Sequence, residues 1–198
     1  MMRREQGLLG VVLVAAAGLY VWLGQPGLPD QPFADRAADI AARDVNDLTP
    51  DEFLTRLQGI AQERPDLPDP HFYIAMLLRD QGRGDDAIRA FQAALRRDER
   101  HVGSLIGLAD TLVLQEGGTF VPLAERLYAQ AWQIDAGQAR AGFLAGLAAW
   151  QDGRPDEAEQ RWEAVIAALP PDDPQRAQVL DLMDTTRQAA DGGQDAQP

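Results

Sequence analysis

Hydrophobic positions follow two different patterns along the chain. From Gln6 to Pro29 no charged residue occurs, and Leu8 to Leu23 is almost wholly apolar, with Tyr20 and Trp22 near its far end. That run approaches the ~20 residues a helix needs to cross a bilayer core. Beyond Thr49 the apolar positions become periodic instead, three or four residues apart, as on one face of a surface helix. Thr49-Pro50-Asp51-Glu52 combines an N-cap Thr, a Pro in the first turn and a Glu three residues on, predicting a helix through about Glu63. Phe53, Leu54, Leu57, Ile60 and Ala61 form its apolar stripe.

The flanks orient the first pattern. Arg3 and Arg4 precede it, whereas Asp30 and Asp35 follow, so the positive-inside rule puts the N-terminus in the cytoplasm. Residues 1–6 are then cytoplasmic, 7–24 a transmembrane anchor, and the rest lies outside. A cleaved secretory leader is the alternative, since Ala15-Ala16-Ala17 offers small residues, although the apolar run continues well past them. Both readings export the remainder. A buried soluble helix fits less well, because nothing polar marks a second face. The Pro- and Asp-containing stretch from Gln25 to Pro32 cannot be helical throughout and reads as an extended neck within 25–48, helical pattern resuming in the Ala-rich Asp35 to Arg43.

Beyond Pro70 the second pattern repeats itself. Ala87, Ala124 and Ala158 are each followed four residues later by an aromatic (Phe91, Tyr128, Trp162) and seven later by Ala94, Ala131 or Val165. The alanines lie 37 and 34 residues apart. A Gly-containing turn precedes each, and Ala75, Ala109 and Gly146 supply a small residue on the helix before that turn. A 34-residue helix-turn-helix period is that of the tetratricopeptide repeat (TPR), the middle unit being three residues longer. Small residues let the paired helices approach, the aromatics fill the gaps, and stacked units share one core. The expected fold is therefore all-α: a transmembrane helix, then a TPR superhelix over 49–188. Its repeats fall at about 68–101, 102–138 and 139–172, with a capping helix over 175–188 and a disordered tail over 189–198. Glu99 and Ala136 depart from the usual terminal Pro, and Gly142 stands where a bulky residue is common.

Composition narrows the partners. The formal charge is -13, nearly all of it after the apolar segment, which disfavours nucleic acid and anionic lipid and favours basic partners. With no Cys, the chain has no disulfide, no thiolate metal site and no cysteine nucleophile. No catalytic residue, metal ligand or cofactor is expected, for no phosphate loop, nucleophile elbow or HExxH motif occurs. His71 and His101 lie near helix starts, a whole repeat apart, and read as surface residues rather than metal or haem ligands.

TPR units present a concave surface from their first helices. The register puts Phe72, Tyr73, Met76 and Arg79 there from the first unit, Ile106, Asp110 and Val113 from the second, and Phe143, Leu147 and Trp150 from the third. Each one could equally be core. Together they describe an apolar, aromatic groove with few polar anchors, suited to an amphipathic helix or extended peptide.

Two stretches carry a family resemblance: Leu23-Gly24-Gln25-Pro26-Gly27-Leu28-Pro29-Asp30-Gln31-Pro32, and the last unit from Arg140 through Trp162 to Leu169-Pro170-Pro171-Asp172. Together with the long Gly117-Gly118 turn they resemble the cytochrome c biogenesis TPR proteins CcmI (also called CycH) and the related NrfG. The resemblance implies a periplasmic, single-pass chaperone of the bacterial inner membrane. It would bind apocytochrome c, notably its C-terminal helix, for the membrane haem-lyase components of the maturation system. Full-length relatives carry two membrane segments joined by a cytoplasmic loop, whereas this chain has one, so roles of the loop do not carry over. The residues alone leave open a general assembly scaffold for a secretion, pilus or division complex. An enzyme has only scattered carboxylates in its favour.

Overall fold

The computed structural model describes the backbone of residues 31–194 and the side chains of residues 36–188. The anchor expected over 7–24 and the cytoplasmic stretch before it lie outside the described residues. Among those described, every element is a helix or 3-10 turn, and no helix is long and apolar enough to cross a membrane. The chain divides into two compact units between Asp47 and Leu48.

In the first unit, helix α1 spans Gln31–Ala42 and a 3-10 turn follows at Val45–Asp47. The helix begins before Asp35, inside the stretch expected to be extended. Pro32 permits this, because a helix's first turn has no partner for the N–H that proline lacks. The Asp44 carboxylate accepts the Asn46 backbone N–H at 2.9 Å and shapes the 3-10 turn.

The second unit holds α2 (Pro50–Glu63), α3 (Asp69–Asp80), α4 (Gly84–Leu95), α5 (Val102–Gln115), α6 (Pro122–Ile134), α7 (Ala139–Gln151), α8 (Pro155–Ala168) and α9 (Pro174–Gln194). Helix α2 opens with a capping box: the Thr49 hydroxyl accepts the Glu52 N–H, and the Glu52 carboxylate accepts the Thr49 N–H at 2.9 Å. The next six helices pair as hairpins α3/α4, α5/α6 and α7/α8, and each helix also packs on its neighbour in the next hairpin.

One device closes all three hairpins. Gly82, Gly117 and Gly153 follow the first helix with φ of 75°, 63° and 73°, a left-handed conformation that costs a residue with Cβ about 1–2 kcal/mol. The N–H one residue further on then reaches back to the helix: Arg83 to Leu78 at 2.8 Å, Gly118 to Val113 at 2.9 Å, Arg154 to Ala149 at 2.9 Å. In the middle hairpin Gly118 is also left-handed, at φ 96°, so the chain leaves the cap differently before α6 begins at Pro122.

The repeated residues form the core. Ala87, Ala124 and Ala158 have no solvent exposure, and Phe91, Tyr128 and Trp162 are the largest fully buried side chains. Each buried aromatic contributes about 2–3 kcal/mol of transfer free energy. Close approach needs glycine opposite two of them. A Cβ at Gly107 would run into the Phe91 ring, and one at Gly146 into the Trp162 indole, both well inside 3.0 Å. Gly142 departs from the usual bulky residue because Trp132, from the last turn of α6, and Val165 already fill that space. One unit's tryptophan thus completes the next unit's core.

Helix α9 caps the stack. Val179 and Met183 are buried in a cluster with Phe143, Trp162 and Leu169. The Arg187 guanidinium pairs with Glu159 of α8 at 2.5 Å, and Arg176 donates to the carbonyls of Ile166 and Leu169 at the end of α8. The helix continues to Gln194, past the expected end at 188, into residues read as a disordered tail. Ala189 and Ala190 are strong helix formers that carry it onward.

Candidate peptide-binding groove

The inner faces of α3, α5 and α7 line a depression with two compartments. The first, about 660 Å³, is lined by Arg79, Asp110, Val113, Leu114, Phe120, Tyr128, Arg140 and Leu144, with Gly117 and Gly118 at its rim. The second, about 370 Å³, lies between α7 and the capping helix, where Phe143, Leu144, Leu147, Val179 and Leu182 meet Arg140, Gln175 and Gln178. Arg140 and Leu144 line both and stand between the two compartments.

Of the residues expected to face inward, Arg79, Asp110 and Val113 come together in the first compartment, and Phe143 and Leu147 in the second. Phe143 is nevertheless only 5% exposed and stacks on Trp162 at 5.4 Å, so it serves chiefly as core. Phe72, Tyr73, Met76, Ile106 and Trp150 line neither compartment. Phe72 seals the joint between the first two units, 6.1 Å from Phe91 and 5.2 Å from His101. Met76 and Ile106 pack half-buried on the same core, and Trp150 stacks on Trp162 at 5.6 Å. Tyr73 is exposed and meets Phe72 edge-on at 5.1 Å.

Arg140, Leu144, Leu114, Phe120 and Leu182 were not among the expected residues. Arg140, Leu144 and Leu147 stand at i, i+4 and i+7 on α7, a helical stripe that the sequence carries. Phe120 reaches the groove because of the longer middle turn. Its backbone N–H is held by the Gln151 side chain at 3.2 Å, and its ring lies edge-on to Tyr128 at 6.1 Å.

A polar relay forms the base of the first compartment. The Tyr128 hydroxyl donates to Asp110 at 2.5 Å, and the Arg140 guanidinium donates to both carboxylate oxygens of Asp110 at 3.1 and 3.3 Å. Burial, followed by the Asp110 hydrogen bond, pushes the Tyr128 phenol far above its ordinary range, so it stays protonated and keeps its proton to donate. Arg79 is half-buried and pairs with Asp80 at 3.3 Å.

On another face, Glu125 of α6 receives Arg154 at 2.6 Å and Arg161 at 2.7 Å, tying the second unit to the third. Arg161 also donates to the Ala145 carbonyl at 2.6 Å. Glu157 joins both arginines, and Arg154 foremost holds its carboxyl below the usual range.

The histidines are not the surface residues that their positions suggested. His101 caps α5, its Nδ1 accepting the Ser104 backbone N–H at 3.1 Å and meeting Ser104 Oγ at 2.8 Å, with Nε2 3.1 Å from Asp69. The Asp-His-Ser order resembles a hydrolytic triad, but Ser104 has no solvent exposure and the imidazole nitrogen is occupied as a cap. His71 is half-buried, and its buried Nε2 makes no hydrogen bond within the protein. Burial, then Arg97 and Arg96, lowers its pKa.

Stacked hairpins with this register and this inner groove define a tetratricopeptide-repeat protein, and the tetratricopeptide-repeat family model matches residues 74–117. Solved TPR-like structures share the fold. MamA from Desulfovibrio magneticus RS-1 superposes with TM-score 0.57 at 20% identity, covering 79% of this chain and 86% of that one. The Yersinia enterocolitica type III secretion chaperone SycD, solved with a peptide of the translocator YopD, gives TM-score 0.52 at 20% identity over 64% of this chain and 93% of that one.

The chain is, more particularly, a homologue of the cytochrome c-type biogenesis protein CycH. It is 30% identical to CycH of Bradyrhizobium diazoefficiens over 85% of its own length and 45% of the relative's. Identity to CycH of Rhizobium meliloti is 30%, and to that of Pseudomonas aeruginosa 28%, over 79% and 65% of this chain and 39% and 32% of the relatives. The chain thus spans less than half the length of these relatives.

Proposed function

We propose that this chain is a membrane-anchored, extracytoplasmic TPR chaperone of c-type cytochrome maturation, binding apocytochrome c through the groove of α3, α5 and α7. The homology to CycH over most of the chain carries this reading. The groove supports it physically: apolar walls from Val113, Leu114, Phe120, Leu144 and Leu147 suit the apolar face of a helix-forming segment. The acidic surface favours a basic client, and a chain without Cys forms no mixed disulfide with haem-binding thiols. The groove holds the client segment while membrane haem-lyase components act on the haem-binding region.

The test uses the full chain and a labelled peptide of an apocytochrome c C-terminal helix. Binding at least about tenfold tighter than to a scrambled peptide is the expected outcome, equivalent to about 1.4 kcal/mol. Equal affinity for both peptides, with normal c-type cytochrome levels in a deletion strain, would assign the repeats to a scaffold for another envelope complex.

A further inference from the structure

We infer that Arg140 is the groove's reader of an acidic side chain: it releases Asp110 and pairs with a carboxylate carried between apolar residues of the bound segment. This rests on the reading that the groove is the client site. The chain carries a charge of -13, yet the ionic groups lining the two compartments are Arg79, Arg140 and the single Asp110. With Arg79 paired to Asp80, Arg140 is the exposed guanidinium between these apolar walls, complementary to an amphipathic segment bearing one acid.

Arg140 is built to change partners. Its side chain is 66% exposed, and its two bonds to Asp110 are long, at 3.1 and 3.3 Å. Asp110 is not stranded when the arginine leaves, because Tyr128 holds it at 2.5 Å. The resident carboxylate therefore acts as a placeholder that an incoming carboxylate displaces, one charge-assisted pair being exchanged for another. Apolar lining lies on both sides of Arg140, Leu114 and Phe120 in one compartment and Leu147 and Leu182 in the other. A guanidinium in mid-groove meets a side chain of a segment passing through, whereas a clamp for a chain end would sit where the groove closes.

The experiment measures fluorescence anisotropy of the full chain with three short amphipathic peptides of Leu, Ala and Gln. One bears a central Glu and an amidated end, one has Gln in its place, and one has Gln with a free C-terminal carboxylate. The wild-type protein is expected to prefer the Glu peptide by about three- to tenfold. Arg140→Gln erases the preference for the Glu peptide over the Gln peptide. Asp110→Asn, whose amide oxygen still accepts from Tyr128, tightens the Glu peptide alone. Leu114→Asp, at an exposed position on the groove wall, weakens all three peptides. Thermal unfolding of each variant checks that it is folded. Equal binding of the Glu and Gln peptides to wild type, or a preference that survives Arg140→Gln, overturns this inference while the groove reading stands. Preference for the free-terminus peptide overturns it in favour of a chain-end reader. Binding insensitive to Leu114→Asp overturns the groove reading on which it rests.

Discussion

Tyr128 and Asp110 face each other across the hairpin of α5 and α6, the phenol donating to the carboxylate at 2.5 Å. Tyr128 is also the core aromatic of its unit, so one residue fills the gap between helices and fixes an anion in the groove. Tyr128→Phe keeps the filling and removes the bond. It is expected to cost about 1–2 kcal/mol, with the urea midpoint lowered and the slope unchanged. A loss below about 0.3 kcal/mol would mean that the bond contributes nothing net.

The glycines of the hairpins separate packing from backbone freedom. Gly146→Ala drives a methyl into the Trp162 indole, which is fully buried and donates to the Phe143 carbonyl at 3.0 Å, and should destabilise by about 1–3 kcal/mol. Gly59→Ala on α2 meets nothing within 4 Å and should stabilise by about 0.5–1 kcal/mol. Calorimetric Tm values that moved in the same direction for both variants would contradict this account.

His71 makes stability depend on pH. Its pKa lies below the ordinary 6.5 because of burial first and Arg97 and Arg96 after it. The unfolded chain therefore takes up this proton more readily than the folded one, so stability rises with pH across the interval between the two values. The contribution is complete above the ordinary value and is lost as pH falls through it toward the folded pKa. Urea midpoints at about pH 7.5 and about pH 5 should differ more in the wild type than in His71→Gln. An unchanged difference would remove His71 from the explanation.

His101 is expected to behave as a helix cap. His101→Ala removes the imidazole that meets the Ser104 hydroxyl and accepts its N–H, leaving that N–H only the residue-101 carbonyl, and should cost about 1 kcal/mol, whereas His101→Asn retains most of the stability because asparagine is itself a good N-cap. If asparagine proved as damaging as alanine, the tilted ring contact of His101 with Phe72 would be the larger contribution.

The packed core was largely legible in the chain. Ala87, Phe91 and Ala94, with their counterparts one and two units on, announce themselves by spacing, because each unit solves the same packing problem with the same residue types. The groove was legible only where it follows that register, at Arg79, Asp110, Val113 and Leu147. Phe143 holds an inward register position, but α9 folds back and buries it, and the return path of a terminal helix leaves no period to read. Phe120 enters through a turn three residues longer than its neighbours, whose shape depends on a second left-handed glycine. Arg140 lies beside the stripe that was read; its importance comes from facing Asp110 thirty residues earlier, a relation between units rather than within one.

The hairpins and their neighbour-by-neighbour stacking have a kinetic consequence. Nearly every helix contact in the second unit joins elements adjacent in sequence, so the loops that must close during folding are short and their entropic cost is small. Such a chain folds rapidly, and each left-handed glycine turn lets a hairpin dock on the one before it as soon as both helices have emerged from the ribosome.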